Sequence, residues 1–201
     1  MPKNCPSCGS PYISGFRAGT QQIEREVHRL FPQARVLRMD YDTTRTRESY
    51  EQILSAFGNG QADILVGTQM IVKGHDFPDV TLVGIVAADI SLYASDYRAA
   101  ERTFQLLTQA VGRAGRGSKA GEAVIQTYMP EHYSIQTAAK QDYDAFYEQE
   151  ILYRELMGYP PVDEMLGIYL SGKDLEKLES CVEQLAEWIR NAHVEGLCLI
   201  G

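Results

Sequence analysis

The sequence has little of what a secreted or membrane-embedded chain carries. Its four cysteines are too few and too unevenly placed for a disulfide framework. No run of about 18 apolar residues is available to span a bilayer. Met1-Pro2-Lys3-Asn4 runs straight into Cys5, without the apolar region of a signal peptide. A soluble cytoplasmic protein with no membrane partner is expected. Internal repeats and low-complexity segments are absent. So are a G-x-x-x-x-G-K-[ST] loop and a D-E-x-H-like box, so the chain lacks the phosphate cradle and the Mg²⁺-holding carboxylate that ATP hydrolysis requires.

What is present is an uneven charge. The 201 residues carry a formal −8, which at first argues against a nucleic-acid partner. Between residues 142 and 187, however, twelve acidic residues face three basic ones; the remainder is about neutral. From residue 98 to residue 121 the balance reverses, with Arg98, Arg102, Arg113, Arg116 and Lys119 against Glu101. At the centre of that basic island lies Gln109-Ala110-Val111-Gly112-Arg113-Ala114-Gly115-Arg116-Gly117. Glycines let a phosphate or another backbone come close, and a guanidinium fork donates in a plane matching two phosphate oxygens. The pattern points to phosphate chemistry.

A chain of this length holds one good core plus an appendage. Cys5-Pro6-Ser7-Cys8-Gly9 is a C-x-x-C knuckle and half of a zinc site, since structural zinc wants four ligands; a redox pair or two unpaired thiols are the alternatives. Tyr12 to Phe16 is a short strand. Thr20 is a natural N-cap for a helix over 21–31 with Ile23, Val27 and Leu30 at helical spacing, and a glycine-flanked helix start is also an anion site. A strand over 35–40 and a helix over 47–57 follow. Apolar runs at 62–66 and 80–88 suit strands of a parallel sheet covered on both faces. The loop Gly67 to Asp79 after the first of these carries Thr68, Lys73, Gly74, His75 and Asp76, where ligands meet such sheets; Thr68 is a phosphate donor candidate, and Asp76 a ribose acceptor or a loop brace. For His75, loop packing is at least as good a reading as catalysis. A helix over 98–111 delivers the arginines. A strand over 121–128 and helices to Met157 follow, with Tyr143, Phe146, Tyr147, Ile151 and Leu152 as their buried face. Beyond Gly158-Tyr159-Pro160-Pro161 come a strand over 166–170 and a helix over 174–192, in which Cys181 reads as core, and then the start of another strand.

Strand-Gly67-Thr68-Gln69, Lys73-Gly74-His75-Asp76 and Gln109-x-x-Gly112-Arg113-x-x-Arg116 together resemble motifs V and VI of superfamily 2 helicases. Cys5-Pro-Ser-Cys8-Gly-Ser10, Gly19-Thr20-Gln-x-Ile23-Glu24, Leu30-Phe31-Pro32, Arg38-Met39-Asp40-x-Asp42-Thr43, Arg98-Ala-Ala-Glu101-Arg102-Thr-Phe104-Gln-Leu-Leu-Thr-Gln109 and Tyr159-Pro160-Pro161 narrow the likeness to the PriA family of primosomal replication-restart helicases. It covers nearly the whole chain. It departs at Ala87 and Ala88, where the family has leucine and aspartate, and at Val162, where it has Phe.

The resemblance implies an α/β fold: residues 1–11 as the remnant of a zinc-binding module, 12–157 as the second RecA-like helicase lobe with a parallel sheet flanked by helices, and 158–201 as a truncated α+β C-terminal piece. It implies an ATP-dependent 3′-to-5′ DNA helicase as the full protein, with this chain inactive alone because ATP and Mg²⁺ are bound mainly by the first lobe. Arg113 and Arg116 would reach the γ-phosphate, and Gln109 would orient water or sense the phosphate. Gly74, Asp76 and Gly112 would line the nucleotide; Gly19, Thr20, Thr68, Gln69 and Lys73 would hold the DNA backbone. Cys5 and Cys8 would give half of a Zn site. Forked or single-stranded DNA, primosome loading proteins and single-stranded DNA-binding protein are the implied partners. Two other readings stay open: a stand-alone zinc-ribbon nucleic-acid module, and a RecG-like fork remodeller that shares motifs V and VI but not the cysteines.

Overall fold

The computed structural model describes residues 9, 19–72, 77–117, 119–194 and 196–200. The chain divides into two compact units, Met1–Tyr153 and Arg154–Gly201. The first alternates helix and strand as α1 (Thr20–Leu30), β1 (Val36–Met39), α2 (Arg47–Gly58), β2 (Ile64–Gly67), β3 (Leu82–Ile85), α3 (Ala99–Val111), β4 (Glu122–Ile125) and α4 (Tyr133–Lys140), and α5 (Tyr143–Met157) begins in it and ends four residues past Tyr153. This is the α/β class expected from the sequence, with parallel strands flanked by helices. Among the described residues the strands form two separate parallel pairs: β1 with β2, in register Val36↔Ile64 to Met39↔Gly67, and β3 with β4, in register Leu82↔Glu122 to Ile85↔Ile125.

Local chemistry sets most boundaries. Thr46 caps α2 in a reciprocal box with Ser49, satisfying donors that a helix start otherwise leaves orphaned. Gly60, at φ 69, ends it with its N–H on Phe57 O, a left-handed stop that glycine adopts without strain. At the start of the β1–β2 ladder Arg35 grips Asp63 through Nε, Nη2 and its backbone N–H. That grip pulls the Asp63 carboxyl down to about 2.

One core holds the arginine-bearing helix in place. Phe104 and Leu107 of α3 pack with Ala88, Ile135, Ala138 and Phe146, against Ile85, Leu92, Ile125 and Tyr133. The Phe104 and Phe146 rings stack with centroids 4.1 Å apart; burying each ring contributes roughly 1.5–3 kcal/mol. The expectation that the second apolar run is covered on both faces fails. Leu82 and Val124 alternate outward and are half or more exposed, because the cluster built on α3 and α4 packs against the face that carries Ile85 and Ile125. The run also ends early, and Ala88–Tyr93 turns into a 3₁₀ helix.

The predicted buried face of α5 is corrected as well. Phe146 and Glu150 are buried, whereas Tyr143, Tyr147 and Leu152 are exposed. Tyr133 Oη donates to Glu150 Oε2 at 2.6 Å, so a carboxylate occupies the line that hydrophobicity assigned to aromatics. In the second unit α6 (Leu175–Asn191) starts on Asp174, which accepts from Lys177 N. No residue of α6 is buried, and Cys181 is exposed rather than core. The strand expected over 166–170 does not form: among the described residues of this unit no strand lies beside it to pair with its backbone.

Candidate functional site

Two rims carry the residues singled out from the sequence. The first is the C-terminal end of the β1–β2 pair. Met39 and Gly67 are register partners, so the residues that follow them, Asp40 and Thr68, emerge side by side. Thr68 and Gln69 are exposed. The helix start joins them: Thr20 Oγ1 donates to Asp40 Oδ2 at 2.5 Å. This corrects the capping assignment. Gly19 is the N-cap, accepting from Gln22 N and Ile23 N, and Thr20 lies inside the helix with its hydroxyl engaged. What remains at that helix start for an anion is backbone N–H.

Asp40 was not singled out as a functional residue, yet it organises this rim. Its Oδ1 accepts from Asp42 N and Thr43 N at 3.1 Å each, and its backbone O accepts from Thr43 Oγ1 and Thr44 Oγ1. Arg38 Nε sits 3.1 Å from Oδ2 as an ion contact without hydrogen-bond alignment, while Arg38 Nη1 holds Glu24 of α1. The Thr20 hydroxyl above all, then Thr43 and Arg38 against the opposing effect of burial, holds the Asp40 carboxyl below the usual range. The signal in the sequence was the run Asp40-Tyr41-Asp42-Thr43-Thr44, whose side chains cap their own turn.

The second rim lies where β3 begins. α3 ends at Gly112, with Arg113 N on Ala110 O and Ala114 N on Val111 O. Gly115 takes φ 72 and donates its N–H to Val80 O at 2.9 Å. A side chain at Gly115 would place its Cβ 2.8 Å from Gly121 Cα, and one at Gly121 would reach 2.5 Å from Gly115 Cα. The two glycines therefore meet backbone on backbone. Arg116 Nε donates to Gly112 O at 2.6 Å. This pinch sets Arg113, half-buried, and Arg116, exposed, on one tight turn, with Gln109 exposed one turn back on α3. At the other end of α3, Arg98 and Arg102 pair with Asp96, so that end of the basic island is matched by a carboxylate.

The end of β3 carries a further polar brace. Asp89, 3 % exposed, accepts from Thr127 Oγ1 and Tyr128 N. Burial pushes its carboxyl up, but these bonds outweigh burial and leave it lowered. Beside it Ala87 adopts φ 52, with its N–H on Gln126 Oε1. Lys73, Gly74, His75 and Asp76, together with Cys5 and Cys8, lie outside the described residues. Among the described residues no three metal-ligating side chains cluster, and no helix is long and apolar enough to cross a membrane.

The parallel α/β unit, with parallel strands flanked by helices, has the architecture of a RecA-like helicase lobe. Residues 13–118 match the helicase conserved C-terminal domain, and the chain belongs to that family. It is 48 % identical over 190 residues to the replication restart protein PriA of Bacillus subtilis, a match covering 94 % of this chain and 24 % of that protein. It is 44 % identical over 186 residues to PriA of Synechocystis, covering 92 % and 22 %, and 37 % identical over 194 residues to PriA of Thermotoga maritima, covering 96 % and 26 %. The chain thus spans about a quarter of the length of these relatives.

Proposed function

We propose that this chain is the second helicase lobe of an ATP-dependent 3′-to-5′ DNA helicase acting in primosome assembly and replication restart. The observation that carries the reading is the arginine turn: Gly115 against Gly121 and Val80 O present Arg113 and Arg116 together in a chain that has no phosphate cradle of its own. The arginines therefore serve a nucleotide held elsewhere in the protein. They stabilise charge that develops on a transferring phosphoryl group, a contribution of about 10³–10⁵ in turnover where such arginines have been dissected. Gln109 orients water from the preceding helical turn, and Gly112, Gly74 and Asp76 border the nucleotide.

On the other rim Thr68, Gln69 and the Gly19–Thr20 helix start hold DNA phosphates, and Lys73, outside the described residues, is assigned the same role, which gives binding without sequence preference. Thr20 contributes there through backbone N–H, since its hydroxyl donates to Asp40. Magnesium and ATP belong mainly to the first lobe, and Cys5 and Cys8 supply half of a zinc site; loading proteins and single-stranded DNA-binding protein are the proposed partners. The test is Arg113→Ala in the full-length protein, with DNA-stimulated ATP turnover measured. A loss on the order of 10³-fold or more is expected; an unchanged rate overturns the arginine assignment and favours a zinc-ribbon binding module.

A further inference from the structure

The connection between α4 and α5 meets the arginine turn from a separate part of the chain. α4 ends at Lys140 and α5 begins at Tyr143, so only Gln141 and Asp142 lie between them. Both helices are fixed against α3, since Ile135 and Ala138 of α4 and Phe146 of α5 share one core with Phe104 and Leu107. Asp142 ties the two ends of the connection, its N–H on Thr137 O and its Oδ1 accepting from Ala145 N. The place of Gln141 is thereby set.

Gln141 takes φ 54 and ψ 34, with its N–H on Ala138 O. This is the left-handed helix stop that glycine ordinarily fills, because a Cβ there crowds the following carbonyl oxygen. Within the first unit the stops after α2 and α3, Gly60 and Gly115, are glycines. A glutamine at 141 therefore strains the backbone without local gain, and its side chain supplies the reason. Gln141 Nε2 lies 3.3 Å from the point where a Cβ on Gly112 would stand. Gly112 ends α3 and precedes Arg113; its N–H is on Thr108 O, and its carbonyl accepts from Arg116 Nε. The amide thus rests on the residue from which both arginines take their direction. Strain that the surrounding packing holds in place is a means of preorganising a functional turn.

We propose that Gln141 is a positioning residue for the arginine turn: its left-handed backbone sets the side-chain amide against Gly112 and fixes the angle at which Arg113 and Arg116 leave α3. The proposal rests on the reading that these arginines serve a nucleotide. A group that acts only through the transition state lowers kcat and kcat/KM together when it is lost, while KM for ATP holds. Misplacement by about 1 Å is enough for a loss on the order of 10²-fold.

The strained backbone makes this role separable from folding. Gln141→Gly removes the side chain and relieves the left-handed strain. In the full-length protein it should melt no lower than wild type and yet lose about 10- to 10²-fold in the kcat of DNA-stimulated ATP hydrolysis, with KM for ATP within about twofold. Gln141→Met keeps an unbranched side chain of similar length over Gly112, with the same strain, and should retain more turnover than Gln141→Gly. A kcat within about twofold of wild type in Gln141→Gly, or a loss that falls on KM alone, overturns the assignment. So does a loss in Gln141→Met equal to that in Gln141→Gly. Arg113→Ala separates the two levels: loss of turnover there with wild-type kcat in Gln141→Gly sinks only the role of Gln141, whereas full turnover in Arg113→Ala sinks the reading beneath it.

Discussion

Asp40 shows how a single carboxylate joins elements distant in sequence. It closes β1, holds the turn after it, and receives the Thr20 hydroxyl from α1. Thr20→Ala removes a donor from a buried acceptor and should cost about 1–3 kcal/mol, with Thr20→Ser close to neutral; urea denaturation midpoints of the three proteins check this. The sign with pH follows from the lowered carboxyl: its stabilisation is present above the unfolded value of about 3.9 and is lost as pH falls through the folded one. Thr20→Ala should therefore acid-unfold at a higher pH than wild type. At Ala87 the left-handed φ of 52 brings Cβ against the backbone. Ala87→Gly is expected to stabilise by about 0.5–1 kcal/mol, read as a higher denaturation midpoint; a lower midpoint would mean that the angle carries no strain.

Among the helices, α4 has the most titratable start. His132 is its N-cap, and its Nδ1 accepts from Ser134 N at 3.2 Å and lies 3.0 Å from Ser134 Oγ. Its ring stacks on Tyr133, which in turn holds Glu150. Burial lowers the imidazole, more than the Glu150 carboxylate raises it. The neutral ring is thus the folded form, and the unfolded chain takes up the proton first as pH falls below about 6.5. Stability drops from there through the lower folded value, and protonation also removes the acceptor that caps the helix. His132→Asn keeps a capping acceptor that does not titrate. Thermal melting followed from pH ~7.5 to ~5 should show a smaller decline in H132N than in wild type, and equal slopes would count against this role. α6 presents the opposite case: its apolar stripe is intact in the sequence, yet Trp188 is 70 % exposed, since none of the described residues of its own unit covers it.

Across the whole molecule the sequence carries the two arginines but no G-x-x-x-x-G-K-[ST] loop. The purified 201 residues should hydrolyse no ATP above background, with or without DNA, because the groups that orient the β- and γ-phosphates and Mg²⁺ are not in this sequence. Phosphate release assays decide it; a measurable turnover would show that other groups of this chain hold the nucleotide. Thr68 lies at the C-terminal end of the β1–β2 pair and the arginine turn at the start of β3, so the two proposed roles fall on different strand ends.

How much of this was legible beforehand follows from how local each signal is. The strand and helix order from α1 to α5, the arginine turn, the threonine after β2 and the family likeness are properties of short words and of 2- or 3.6-residue periods, and they survive without knowledge of what packs where. The burial of Glu150 in place of Tyr147, the exposure of Cys181 and Leu82, the engagement of Thr20 by Asp40, and the pinch of Gly115 on Gly121 were decided only in three dimensions. Each depends on a neighbour many residues away. Apolar periodicity says which face of an element is available to be buried; whether it is buried depends on another element arriving there, and a hydroxyl or a glycine takes its role from the partner that the fold brings within contact distance.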